Sequence, residues 1–162
     1  MRVFGIAGFK NSGKTTLVVE LLHEFRRRGL RVATIKHAHH DFDIDQPGKD
    51  SFLHREAGAC EVIIASARRW AHMRELGDGP EPELEALLAR LGPVDLVLVE
   101  GYKHGRHPRL ELRRAGLDHP LLAATDAGIR AIVADGPVEE AAVPVLARAD
   151  IAGIADFILA DA

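Results

Sequence analysis

Residues 3–36 constrain this chain more than any other stretch. Val3 to Ala7 form a brief apolar run closed by Gly8, the pattern of a short buried strand. Over Lys14 to Arg28, the apolar residues Leu17, Val18, Leu21, Leu22 and Phe25 recur at helical spacing. Arg26, Arg27 and Arg28 fall in the last turn, where cations suit the helix dipole, and Gly29 supplies the stop. Arg31 to Lys36 reads as a second strand. A strand, a helix and a strand this close together demand a parallel sheet with a right-handed crossover.

The rest of the chain continues the alternation. Phe52 to Gly58 reads as a short helix, and Glu61 to Ala65 as a strand with "RRWAHMREL" pairing back against it. Glu83 to Leu91 reads as a helix. Val94 to Glu100, "VDLVLVE", is apolar enough for a strand buried on both faces. "RLELRR" alternates like an exposed or edge strand, while "PLLAAT" and "IRAIVA" read as two more strands. Asp150 to Leu159 reads as a terminal helix with Asp150 as its N-cap. With 162 residues and no repeat or linker, a single domain over 1–162 is expected. The alternation argues for an α/β domain of three layers, a mostly parallel sheet flanked by helices.

Between the first strand and its helix lies "GFKNSGKTT", Gly8 to Thr16. Gly8, Gly13, Lys14 and Thr15 match G-x-x-x-x-G-K-S/T, and the strand before and helix after supply the context that this pattern needs. Glycines let the backbone turn its N–H groups inward around phosphate oxygens. The helix start adds unsatisfied donors and a positive dipole end. Gly8, Lys10, Asn11, Ser12, Gly13, Lys14, Thr15 and Thr16 are therefore the expected phosphate-binding set. Within it, Lys14 reaches the β- and γ-phosphates, Thr15 offers its hydroxyl to Mg2+, and Thr16 bonds a phosphate oxygen. The fold expectation sharpens to a P-loop NTPase-like domain. Such a loop also needs a carboxylate at the end of a buried strand. Glu100, at the end of "LVLVE", is the expected partner for metal or attacking water; Asp95 begins the same strand, at its far end.

The polar stretch from His37 to Ser51 follows the second strand, where a γ-phosphate sensor is expected. Of its acids, Asp45 is read as a metal ligand and Asp50 as a positioner of water, brought together by a turn at Pro47–Gly48. His37, His39, His40 and His54 are open to three readings: metal ligands, contacts to an anionic ligand or partner, or an ordinary polar loop. "GYKHGRHPR" brings Lys103, His104, Arg106, His107 and Arg109 after Glu100; with Lys36 and Lys49 they are expected to create a local positive field. The chain has a single asparagine, so no Asn-Lys-x-Asp loop is available for reading guanine. Asp126, taken to follow the strand "PLLAAT", is the expected substitute, because a carboxylate accepts from the guanine N1 and N2 donors and repels N1 of adenine. A plain turn capped by Asp126 is the alternative.

A net charge of -3 gives no global basic field and argues against general nucleic-acid binding. One cysteine excludes an intramolecular disulfide framework and fits a cytoplasmic protein. No apolar run approaches a membrane span, and the start lacks the flank and cleavage pattern of a signal peptide.

Taken together, "GFKNSGKTT", "TIKHAHHDFDIDQPGKDSFLHREAGA", "LVLVEGYK" and "AATD" resemble the molybdopterin-guanine dinucleotide biosynthesis adapter (MobB) family over almost the whole chain. The phosphate loop is shared with many families; the "PGKDS" segment with its histidines and "VEGYK" are far more specific. The resemblance implies a GTP-binding protein with weak GTPase activity, Mg2+ as its metal, and a homodimer. It also implies partnership with the guanylyltransferase that joins GMP to molybdopterin. By it, Gly13, Lys14, Thr15 and Thr16 fall in the phosphate loop, Glu100 is the strand-end acid, and Asp126 falls in the base-reading loop. Related dimeric P-loop proteins carry a second lysine after the first glycine; here that position is Phe9, with lysine one later at Lys10. Two other readings use the same loop. One is a small-molecule kinase with the basic region holding an acceptor, although Arg68 and Arg69 suit a hairpin better than a lid. The other is a non-hydrolytic adapter that binds nucleotide and molybdopterin and presents them.

Overall fold

The computed structural model describes residues 1–38, 42–102, 105–116 and 119–162. The chain forms two compact units, one of residues 1–37 and 84–162 and the other of residues 38–83.

The larger unit is built on six strands: β1 (Arg2–Ala7), β2 (Val32–Lys36), β5 (Leu96–Glu100), β6 (Arg109–Leu112), β7 (Ile129–Ala134) and β8 (Val145–Ala147). They lie in the order β2-β5-β1-β6-β7-β8, every pair parallel. Helices α1 (Lys14–Arg27) and α4 (Ile151–Asp161) bury Leu17, Leu21, Phe25, Ile154 and Ile158 with Phe4, Ile6, Leu96, Leu98, Leu110 and Leu112. On the other face α3 (Leu84–Leu88) brings Leu84 to Ile35, Val97 and Val99. Burial from both sides explains why β5 is apolar at four successive positions. Asp150 caps α4 as expected, its Oδ1 accepting from the Gly153 N–H at 2.9 Å.

Two expectations need correction, and one strand was not anticipated. "RLELRR" is not at an edge: β6 runs between β1 and β7 and is buried throughout. Leu110 and Leu112 face the α1 side as the alternation implies, but Arg109 and Glu111 are also buried, at 4% and 1% exposure, because each finds a partner. "PLLAAT" is not a strand; its centre is a single 3-10 turn, Leu122–Ala124. A three-residue strand after Pro144, β8, was not anticipated; it stands at the edge of the sheet, where a neighbouring proline costs no ladder bond.

The smaller unit contains α2 (Asp50–Glu56) and the antiparallel hairpin of β3 (Glu61–Ala65) and β4 (Trp70–Arg74) that "RRWAHMREL" implied. Ser66 closes the turn, its Oγ bonding the Arg69 carbonyl at 3.0 Å. Ile63, Ile64 and Trp70 stand exposed on the hairpin.

Candidate functional site

The chain leaves β1 towards β2 on one side and later reaches β6 on the other, so the loop after β1 lies where strand order reverses. Ligands of open α/β sheets bind at this point, beyond the carboxyl ends of the strands. The loop carries left-handed backbone at Gly8 (φ 146°), Asn11 (φ 65°) and Gly13 (φ 92°). A Cβ on Gly8 would meet the Leu112 carbonyl oxygen at 2.7 Å, so only glycine lets the loop lie against β6 there. Helix α1 starts on Gly13 with no side-chain cap and no acid in its first turn. With neither a capping side chain nor a first-turn acid of its own, the helix start offers its first N–H donors and its dipole to an anion. Ser12 Oγ is buried and has no hydrogen-bond partner among the described residues, an orphan that a phosphate oxygen would satisfy. Lys14 is half-buried, with Nζ folded over the loop and donating to the carbonyls of Gly8 (2.9 Å) and Phe9 (2.8 Å). Lys10, Asn11, Thr15 and Thr16 are exposed along the same loop and helix start.

Glu100 ends β5 beside β1, paired in register with Ile6 and Lys36. Thr15 Oγ1 lies 3.5 Å from its Oε2, and Lys36 Nζ lies 3.7 Å from its Oε1. A hydroxyl and a carboxylate converging beside an anion site form a hard-oxygen donor set suited to Mg2+. Among the described residues no group of three or more His, Cys, Asp or Glu side chains is arranged to hold a metal. His37 packs on Gly101 and Tyr102 after β2, its ring 5.0 Å from that of Tyr102. His54 is exposed on α2, and His39, His40, Asp41, Lys103 and His104 lie outside the described residues.

Asp45 and Asp50 belong to the smaller unit. Asp50 opens α2 and is exposed. Asp45 is turned onto Arg55, its two oxygens accepting from Nε (3.1 Å) and Nη2 (2.8 Å). Glu75 and Asp43 complete a carboxylate ring around this guanidinium, whose pKa is raised first by Glu75 and then by Asp45. An acid held at both oxygens has little left for a metal.

The described members of the basic cluster after Glu100 turn different ways. Arg106 is exposed, whereas His107 and Arg109 turn towards the sheet. Arg109 lies over Gly5, where a Cβ would meet its Cγ at 2.5 Å. It donates to Asp126 Oδ1 at 2.8 Å and to the Gly105 carbonyl at 2.6 Å. Asp126 Oδ1 also accepts from the Gly128 N–H at 2.8 Å. Asp126 therefore precedes β7 rather than ending a strand, and it serves as the capped turn that was the alternative reading; with Arg109 and Thr125 it lines a cavity of about 480 Å³. Two further contacts escaped the sequence reading. Phe9 stacks on His119 (centroids 4.2 Å apart), and Arg113 holds the His119 carbonyl at 2.8 Å. Phenylalanine in place of a second loop lysine was the only signal.

His107 keeps both ring nitrogens buried with no partner among the described residues. Burial, then Arg109, lowers its pKa, with Glu85 and Asp126 opposing. The neutral ring is the folded form, so its contribution is fully present above the unfolded value of about 6.5 and is lost as pH falls below it. Urea midpoints at pH 7.5 and 5.5 should fall more for the wild type than for His107→Gln; equal falls would remove this contribution.

The profile of the family described as molybdopterin guanine dinucleotide synthesis protein B matches residues 3–135. The chain belongs to this family. The molybdopterin-guanine dinucleotide biosynthesis adapter protein of Escherichia coli (strain K12) is 40% identical over 97% of this chain and 91% of its own length. The Haemophilus influenzae protein of the same name is also 40% identical, over 85% of this chain and 76% of its own. Among solved structures, the MobB protein homolog from Bacillus stearothermophilus superposes with a TM-score of 0.72 at 31% identity, covering 99% of this chain and 97% of that one. Bacillus subtilis MobB, at 23% identity and a TM-score of 0.76, shares the fold. The MobB family thus has the parallel-sheet architecture found here. Among the described residues of this member, no helix is long and apolar enough to cross a membrane.

Proposed function

We propose that this MobB-family chain is a GTP-binding protein with slow GTPase activity. It assists the guanylyltransferase that joins GMP to molybdopterin. The observation that carries the nucleotide reading is the uncapped start of α1, with Lys14 over the loop and Thr15 3.5 Å from Glu100. The role in dinucleotide synthesis follows from the family and from relatives named as adapter proteins of that synthesis.

Residues 8–16 bind the triphosphate, and Lys14 gives up its loop carbonyls to reach the β- and γ-phosphates. Thr15 and Glu100 would hold Mg2+, which when bound neutralises charge on the β- and γ-oxygens. Glu100, with Lys36 Nζ 3.7 Å from its Oε1, orients the attacking water; no covalent enzyme intermediate is needed. Asp50 remains a candidate for positioning that water, whereas Asp45 is left out because Arg55 takes both its oxygens. The exposed Ile63, Ile64 and Trp70 support a homodimer, since a second copy would cover them.

Phosphate release by the purified protein tests the chemistry. Glu100→Gln should keep GTP affinity within about twofold and slow turnover at least about tenfold; equal rates would make Glu100 structural. Adding the guanylyltransferase tests the role: dinucleotide formation should rise with this protein and GTP present. Stimulation without any hydrolysis would favour the non-hydrolytic adapter.

A further inference from the structure

We propose that Asp135, and not Asp126, is the carboxylate that reads the guanine base; this rests on the GTP reading above. The phosphate loop sets the direction in which a nucleotide must lie. Thr15 and Glu100 place the metal side, and with it the γ-phosphate, towards β5. The α-phosphate, ribose and base then run the other way, over the carboxyl ends of β6, β7 and β8.

The polar groups at those three ends differ in what they already do. After β6, Arg113 is committed to Glu111 and to the His119 and Pro120 carbonyls. After β8, Arg148 pairs with Glu20, and Asp150 caps α4. After β7 comes Asp135, exposed directly beyond the buried Ala134, with no side-chain partner among the described residues. Its backbone neighbour is held in place, because the Arg148 N–H donates to the Ala134 carbonyl at 2.9 Å. The register sets the height. Leu112, which touches Gly8, is level with Val133, so Asp135 stands two residues beyond the plane of the loop. Laterally β7 lies two strand spacings from β1, about 10 Å, the span that a ribose must bridge.

Asp126 has the opposite placement. It lies at the amino end of β7, and its Oδ1 already accepts from both Arg109 and Gly128. A free carboxylate at the carboxyl edge can accept from N1–H and the N2 amino group of guanine together, and it repels the N1 lone pair of adenine.

Competition binding with GTP, XTP and ATP on the intact protein tests this. Asp135→Asn exchanges one acceptor for a donor, which suits the O2 of xanthine in place of the guanine amino group. The wild type should prefer GTP over XTP; Asp135→Asn should lose GTP affinity at least about tenfold and reverse that preference. Asp126→Asn should leave the GTP-to-XTP ratio unchanged. If the wild type binds GTP but Asp135→Asn keeps its ratio, or weakens all three nucleotides alike, the assignment of Asp135 is overturned. If the wild type binds none of the three, the GTP reading itself fails.

Discussion

Lys14→Ala should weaken GTP binding by at least about 100-fold, equivalent to about 3 kcal/mol, measured by fluorescence competition or calorimetry. The lysine is the only cation fixed within the loop by its own carbonyls, at 2.9 and 2.8 Å among the described contacts. Removing it leaves the helix-start N–H groups to bind the triphosphate without a charge partner for the β- and γ-oxygens. Those two loop bonds are also lost, but they are part-exposed, so the stability cost should stay near about 1 kcal/mol. Lys14→Arg should recover little, because a planar fork on a longer stem does not replace a compact ammonium in a closed loop. GTP affinity within about threefold of wild type in Lys14→Ala would detach the loop from nucleotide binding.

Arg113→Met should produce the largest loss of stability of the substitutions considered. Glu111 is 1% exposed, and its charge rests on Arg113 at 3.2 Å and on the Ala123 N–H at 2.9 Å. Without Arg113 the buried carboxylate keeps a single donor among the described residues, and the His119 and Pro120 carbonyls lose the Arg113 bond. Breaking one side of a buried pair costs about 3–5 kcal/mol; Arg113 is partly exposed, so about 3 kcal/mol is expected. The double variant Glu111→Leu, Arg113→Met should recover much of this, since the stranded charge is gone. The effect should reach the phosphate loop as well, because Arg113 positions His119 and His119 stacks on Phe9. Urea denaturation measures the first part. A loss under about 1 kcal/mol would mean that Glu111 finds other compensation.

The unit from β1 through α1 to β2 was legible because its signals agree locally. A brief apolar run, glycines at positions of positive φ and a helical apolar period all point the same way. Glu100 was legible for a related reason: an acid closing four buried positions must face something. What misled was polarity buried by tertiary partners. Arg109 and Glu111 alternate with leucines as solvent-facing residues would, and partners that no local pattern announces, Asp126 and the Ala123 N–H of the 3-10 turn, stabilise them in the interior. Asp126 was assigned to a strand end that does not exist, because "PLLAAT" has the composition of a strand but forms a single turn. Asp45 read as a free loop acid, since nothing local announces that Arg55, ten residues on, will take both its oxygens.

The central claim is that residues 8–16 and Glu100 together hold a nucleoside triphosphate with its metal. Isothermal titration with GTP and with ATP, each with and without Mg2+, tests it most directly. The account predicts one saturable site per chain, tighter for GTP than for ATP, and tightened further by Mg2+. Failure of both nucleotides to bind at millimolar concentration with Mg2+ present would contradict it.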